Sequence, residues 1–276
     1  MNTIINLIQL KVFMKKILLL VMAVLGVQGI QAQNDVEFGI FDHLGAGLSV
    51  GTDGIGIDVS SCLTDYVGIR AGVSFLPGIK IKKNISINND GDSNTYYDNV
   101  DAQFKVNKFD FKLLFDFYPI QTSSFHVTAG AYIGASKLIG VTNKTPILKD
   151  PNDYGTAGLK LGNYYVSTDD NGNVDINVKV NGFKPYLGIG IGRAVPKKSQ
   201  LAVSADLGVQ FWGKPGIYTM AADSKIKLAQ GIKEEHKFTK SDLDDQKDGD
   251  WKDAFDIMEK FSVYPVLNVR LTGRIF

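Results

Sequence analysis

The sequence predicts an all-β fold: an eight-stranded antiparallel transmembrane β-barrel with short turns at one end and long loops at the other. Three observations carry that expectation. Large apolar residues recur at every second position over stretches of about ten residues, the pattern of a strand with one face toward lipid. Beyond the N-terminal segment, no stretch approaches the ~20 continuous apolar residues that a membrane helix needs. The connections between the alternating stretches are short and long by turns, as in outer-membrane barrels. A soluble sandwich of two sheets is the competing architecture, but its outer faces are polar and its turns lack that alternation.

The strands are expected near 43–51, 55–62, 66–76, 103–118, 125–138, 175–195, 200–212 and 261–276. The fourth is the clearest, with Phe109, Phe111, Leu113, Phe115 and Phe117 on one face and Asp110, Lys112, Leu114 and Asp116 on the other. The same phase runs through Val67 to Phe75, Phe125 to Ile133, Phe183 to Ile191, Leu201 to Val209 and Leu267 to Ile275, and more weakly through the first two strands. Leu63-Thr64-Asp65, Pro119–Ser124 and Pro196–Ser199 are short turns; the other end carries the tight Asp53-Gly54 turn and long excursions at 77–102, 139–174 and 213–260.

Composition narrows the function classes. The 276 residues are 44% apolar and 21% charged, which excludes disorder. One cysteine, Cys62, makes no internal disulfide, and three scattered histidines offer no zinc-ligand spacing. A formal charge of +1 leaves no basic excess for nucleic acid. At the N-terminus, Lys15 and Lys16 precede an apolar run from Ile17 to Val27, followed by Gly29-Ile30-Gln31-Ala32-Gln33. This is the layout of a secretory signal, expected over 1–32 with cleavage after Ala32 and an alternative start at Met14. Its removal takes away Lys11, Lys15 and Lys16, leaving 27 bases against 29 acids over the exported domain 33–276.

Phe109 to Tyr118 followed by Pro119, the stretch Phe183-Lys184-Pro185-Tyr186-Leu187-Gly188-Ile189-Gly190 and the ending Tyr264 to Leu271 resemble the small outer-membrane β-barrel proteins of Gram-negative bacteria. The Bacteroidetes-type porin-like family is the most similar group, along essentially the whole mature chain. The resemblance implies a cell outer membrane location, membrane lipid as surroundings and recognition by the barrel-assembly machinery through the last strand. Here the sequence departs from the family pattern: Ile275 stands where an aromatic is expected, and Phe276 is one residue out of phase.

Eight strands enclose a space that side chains alone can fill. The face away from lipid carries Asp58, Arg70, Asp110, Lys112, Asp116, Lys184, Asp206, Arg270 and Arg274, four acids against five bases. Opposite charges in such a lumen are expected to pair into a plug, because isolated ones are costly; a narrow porin-like passive channel for small solutes is the alternative. Interleaved glycines such as Gly188, Gly190 and Gly192 are expected to line a tightly curved wall with little to pack inside.

In the loops, Tyr164–Thr168 and Val174–Val180 are expected to pair as a hairpin around Asp169-Asp170-Asn171-Gly172-Asn173, with a type I′ turn at Asn-Gly. The alternating oxygens there resemble a calcium loop, but the glycine is misplaced and no closing Glu follows. Asn88–Asp92 reads as a second such turn, and Tyr96 and Tyr97 as part of an aromatic girdle. Trp251, Phe255 and Met258 have helical spacing within the charged stretch 241–260, which suggests an amphipathic helix capping the barrel mouth, binding a partner or lying on the membrane. His43, His126 and His236 bring no nucleophile-and-base constellation into view, and His126 reads as a hydrogen-bonded filler. The expectation is therefore a non-enzymatic monomer without cofactor or metal, structural or surface-interacting, with the outer loops as contact surface.

Overall fold

The structure, a computed structural model, describes residues 40–86, 95–197, 199–243, 253, 255, 256, 258 and 260–275. The expected signal segment, Asn88–Asp92, Trp251 and Phe276 lie outside them. Fourteen strands share one antiparallel sheet: β1 (Leu44–Gly51), β2 (Gly54–Thr64), β3 (Val67–Ser86), β4 (Asn99–Phe117), β5 (Phe125–Gly134), β6 (Lys137–Asn143), β7 (Gly158–Leu161), β8 (Tyr164–Ser167), β9 (Asp175–Lys179), β10 (Phe183–Ile191), β11 (Leu201–Phe211), β12 (Gly216–Ala222), β13 (Glu234–Phe238) and β14 (Val263–Arg274). A short helix, α1 (Lys225–Ala229), starts from a Ser224 cap whose hydroxyl accepts from the Lys227 N–H.

The expected count of eight strands is thus corrected to fourteen among the described residues. Followed from β1, the pairings run through β2, β3, β4, β5, β10, β11 and β14 and return to β1. The other six strands continue the sheet beyond this ring. β4 holds β5 through Asp110–Phe117 and β6 through Ala102–Val106, so β6 prolongs the line of β5 after a break at residues 135 and 136. The single expected strand 175–195 is likewise divided, into β9 and β10. β9 pairs with β6 and β12, while β12 also holds β8 and β13.

Two turns illustrate the local causes. Gly54 closes the β1–β2 hairpin at φ 101°, in a region that side-chain-bearing residues avoid. At 169–173 Gly172 has φ 72° while Asn171 is not left-handed, so the expected type I′ turn is corrected. The N–H of Gly172 donates to the Asp169 carbonyl at 3.0 Å. The expected hairpin around this turn is corrected as well: β8 pairs with β7 and β12, and β9 with β6 and β12.

The sheet has two interiors of opposite kind. Along β4 from Phe109 to Phe117, phenylalanine and leucine face outward and the alternate positions are buried: Phe111 is 59% exposed and Asp110 0%. From Asn107 back to Asn99 the polarity inverts, with Lys105 and Asp101 outside and Ala102 and Val100 buried. The inverted part belongs to a cap beyond the ring. Its core is Val100, Ile147, Leu148, Val166, Val174, Ile217, Ala221, Phe238, Leu243 and Phe255. Tyr96, expected in a girdle, packs against this core and donates its hydroxyl to the Gly158 carbonyl at 2.9 Å; Tyr97 is exposed.

Residues 253, 255, 256, 258 and 260 are helical; Phe255 is buried in the cap core and Met258 packs against it. Truncating a buried phenylalanine removes its contacts and leaves a void, at about 3–5 kcal/mol. Phe255→Ala is expected to open the cap to limited proteolysis within 213–260 while the fragment carrying β1 to β5 stays resistant.

Candidate functional site

The inward positions of the ring bring charged side chains from non-adjacent strands together. Arg70 (β3) donates to Asp116 (β4) at 2.7 Å and to both carboxylate oxygens of Asp206 (β11) at 3.0 Å. Thr128 donates to the same Asp116 oxygen at 2.7 Å. His126 Nε2 lies 2.8 Å from Asp206, and its Nδ1 is 3.3 Å from the Ser124 carbonyl. Asp58 (β2) receives Arg270 (β14) at 2.8 Å and Lys112 (β4) at 3.1 Å. Asp110 receives Lys184 (β10) at 2.6 Å, with Lys108 at 3.3 Å from its other oxygen.

Eight of the nine expected lumen residues are therefore ion-paired. Arg274 is not in this network: it sits at the rim and donates to the Lys197 and Pro196 carbonyls at 3.1 and 3.4 Å. Two residues join the layer without having been expected, Lys108 and the buried turn residue Asp53. Lys108 was visible in the sequence, being in phase with Asp110 and Lys112. Asp53 was not, since a turn residue carries no facing in a strand pattern. With these exchanges the interior holds Asp53, Asp58, Asp110, Asp116 and Asp206 against Arg70, Lys108, Lys112, Lys184 and Arg270, five of each sign.

The interior glycines serve this network, contrary to the expectation of a bare wall. His126, Gly190 and Asp206 stand in one register row across β5, β10 and β11. A β-carbon at Gly190 would collide with the His126 ring, so glycine there lets the imidazole cross to Asp206. Gly47 does the same for the Arg270 guanidinium on its way over β1 to Asp58. Between the charged groups stand Leu114, Tyr132, Tyr186 and Val266, packed together and buried. What remains is a cavity of about 10 Å³ bounded by Arg70, Lys112, Tyr186 and Asp206, about the space of one water.

Among the described residues Asp116, His126 and Asp206 place ligand atoms within 4.8 Å of one another, as a metal site would. Arg70 hydrogen-bonds both of those carboxylates, so the cation between them is the chain's own. At the loop tip once compared with a calcium loop, one Asp169 oxygen accepts the N–H groups of Asn171 and Asn173 at 2.8 and 2.7 Å. That oxygen is engaged in holding the turn.

Outside the ring, His236 has an acid partner that its sequence context did not reveal: Nε2 lies 3.4 Å from Asp242, and the ring stacks on Tyr164 at 3.8 Å. Asp242 also accepts from the Thr239 N–H at 2.7 Å and the Thr239 hydroxyl at 2.6 Å. Partial burial pushes its carboxyl upward, but the bonds from Thr239 and His236 outweigh this and hold it below the usual carboxylate range. His43 precedes β1, and Cys62 is a buried free thiol beside Val195.

No family model and no curated protein matches the chain. Among solved structures, it is similar in outline to Acinetobacter baumannii CarO2, at TM-score 0.42 and 19% identity over 84% of this chain and 98% of that one. It is similar also to Acinetobacter baumannii CarO, at TM-score 0.41 and 18% identity over 83% and 96%. Neither likeness bears on what this chain binds or does.

Two outcomes follow from the geometry. Arg70→Met leaves Asp116 and Asp206 buried without their cation, a loss of about 3–5 kcal/mol for a broken buried pair; urea unfolding of the refolded chain should show it, with Arg70→Lys intermediate because it lacks the planar fork. In the cap, the lowered Asp242 carboxyl contributes stability that is present above the ordinary carboxylate value and lost as pH falls through its folded value. The protection factor of the Thr239 amide, its exchange rate relative to that of an unstructured amide at the same pH, is expected to fall with acid over that range, and Asp242→Asn to remove that fall.

Proposed function

We propose that the chain is an outer-membrane β-barrel protein with a plugged lumen, in which the eight-strand ring crosses the membrane and the cap stands outside it. The observation that carries this is the inside-out polarity of the ring. Leu48, Ile57, Phe111, Ile133, Leu187 and Leu207 are each at least half exposed, while the inward positions carry the ion pairs. A contiguous apolar surface of that extent has no place in water. Phe109 to Phe117 covers about 27 Å along the strand at ~3.4 Å per residue, which, with barrel tilt, fits most of an apolar band about 25 Å tall.

The plug follows from pairing and packing together. Each Arg or Lys in the ring interior meets a carboxylate, and the tyrosines fill the gaps, so no row of one sign is left for ions to follow. The work of the protein is then non-enzymatic: a structural part in the envelope, or surface interaction through the cap and outer loops. Export by a cleaved signal, insertion by the barrel-assembly machinery and a monomeric state complete the reading.

The test is planar-bilayer conductance of the refolded chain 33–276, after heat-shifted gel mobility has reported barrel formation. A folded barrel without unitary steps is the expected result. Stable steps whose ion selectivity changes with Arg270→Ala would replace the plug by a narrow channel. Absence of heat-modifiable mobility would overturn the barrel itself. Leu187→Arg, on the lipid face, is expected to cost about 2–4 kcal/mol if it lies near the midplane of the bilayer, read by urea unfolding in vesicles.

A further inference from the structure

Between the charged ring interior and the cap the inward face changes from charged to apolar, and there it leaves space. A cavity of about 460 Å³ lies at this level, within the size range of small-molecule sites. Val106, Ile139 and Val178 line it from β4, β6 and β9, together with Met258 and Phe261. These apolar side chains face a void instead of one another.

Trp212, Tyr264 and Lys108 also line the cavity, and Lys108 is its one charged residue among those described. Trp212 and Tyr264 stack at 4.4 Å, and the Lys108 ammonium lies 4.9 Å from the centre of the Tyr264 ring. The polar tips of both rings are already engaged: Trp212 Nε1 donates to Gln210 Oε1 at 2.9 Å, and the Tyr264 hydroxyl donates to the Thr52 carbonyl. Lys108 differs. Its side chain is 3% exposed, and of its three protons one goes to Gln210 at 3.0 Å. Asp110 Oδ2, 3.3 Å away, supplies charge but carries no hydrogen bond, and Lys184 shares that carboxylate at 2.6 Å. Asp53, the other acid of this level, makes no hydrogen bond through either oxygen.

The Lys108 ammonium lies buried at the edge of an apolar cavity, with one hydrogen bond to Gln210 and with its nearest carboxylate held more closely by Lys184, so it can donate to a further acceptor placed in the cavity. We propose that the cavity binds a free fatty acid, its hydrocarbon chain along Val106, Ile139 and Val178 and its carboxylate on Lys108. Burial of the hydrocarbon chain removes apolar surface from water. The charged head adds a charge-assisted hydrogen bond in a dry site. The site rests on the barrel reading only for its orientation in the membrane.

Trp212 provides the readout. The chain has two tryptophans, and Trp251→Phe leaves Trp212 alone beside the cavity. This variant of chain 33–276, in lipid nanodiscs, is titrated with a terminally brominated undecanoate and, separately, with the matching brominated alcohol. Saturable quenching of Trp212 by the acid is expected, with the alcohol about tenfold weaker for want of the charge-assisted bond. Lys108→Gln is expected to remove that preference, and Val178→Phe, which fills the space without touching the charge network, to remove saturable quenching. Quenching that rises linearly without saturation, or equal affinity for acid and alcohol, would overturn the proposal. Heat-shifted mobility of the same samples reports on the barrel alone, so failure of the barrel and failure of the site are told apart.

Discussion

A guanidinium or carboxylate turned into a space too narrow for water must find its counter-charge on another strand, and much of this protein's interior is arranged to meet that demand. Arg70 spans from β3 to Asp206 on β11, and Arg270 from β14 over β1 to Asp58 on β2. Such crossings tie together strands that never pair through their backbones. They also dictate the neighbours: where a long side chain lies flat across a strand, the strand beneath it must be glycine, as at Gly47 and Gly190. Replacing one partner would strand the other, since a buried charge without its mate is far costlier than the pair is favourable.

The alternation that marks the ring was legible because its two faces differ so sharply. In Phe109 to Phe117 every outward position is a large apolar residue, and four of the six inward positions through Lys108 to Tyr118 carry a charge. The cap was not legible in that way. Its strands are four to seven residues long, and β12 has neighbours on both edges drawn from distant parts of the chain, β8 and β9 on one side and β13 on the other. Tyr164–Ser167 has the composition of a strand, but nothing in it names β7 as a partner in place of β9. Pairing depends on which edge is free once β6 and β12 have taken β9, and that is decided by the whole sheet.

A strand period gives each charged residue a face and says nothing of its partner. A period of two assigns Asp110, Lys112 and Asp116 to one side of β4, but the height of each depends on the stagger between strands, which the pattern does not contain. The pairing of Arg270 with Asp58, rather than with an acid nearer in sequence, comes from that stagger. Arg274 shares the inward phase and still misses the network, because β14 ends there and its side chain meets the turn carbonyls of residues 196 and 197.

The change of polarity along β4 explains why packing is complete in one region and incomplete in the next. From Asp116 to Lys108 all the inward side chains but Leu114 are charged, and the lysines and arginines of the ring extend to the aspartates, leaving about 10 Å³. From Val106 upward they are apolar, and Val106, Ile139 and Val178, side by side on β4, β6 and β9, line a space that they do not fill. The strands cannot close in to compensate, since the Lys184–Asp110 and Arg70–Asp206 crossings set the width of the ring immediately below. A cavity at the junction is therefore a consequence of two side-chain vocabularies sharing one set of strands, and Lys108, last of the charged series, is the residue left facing it.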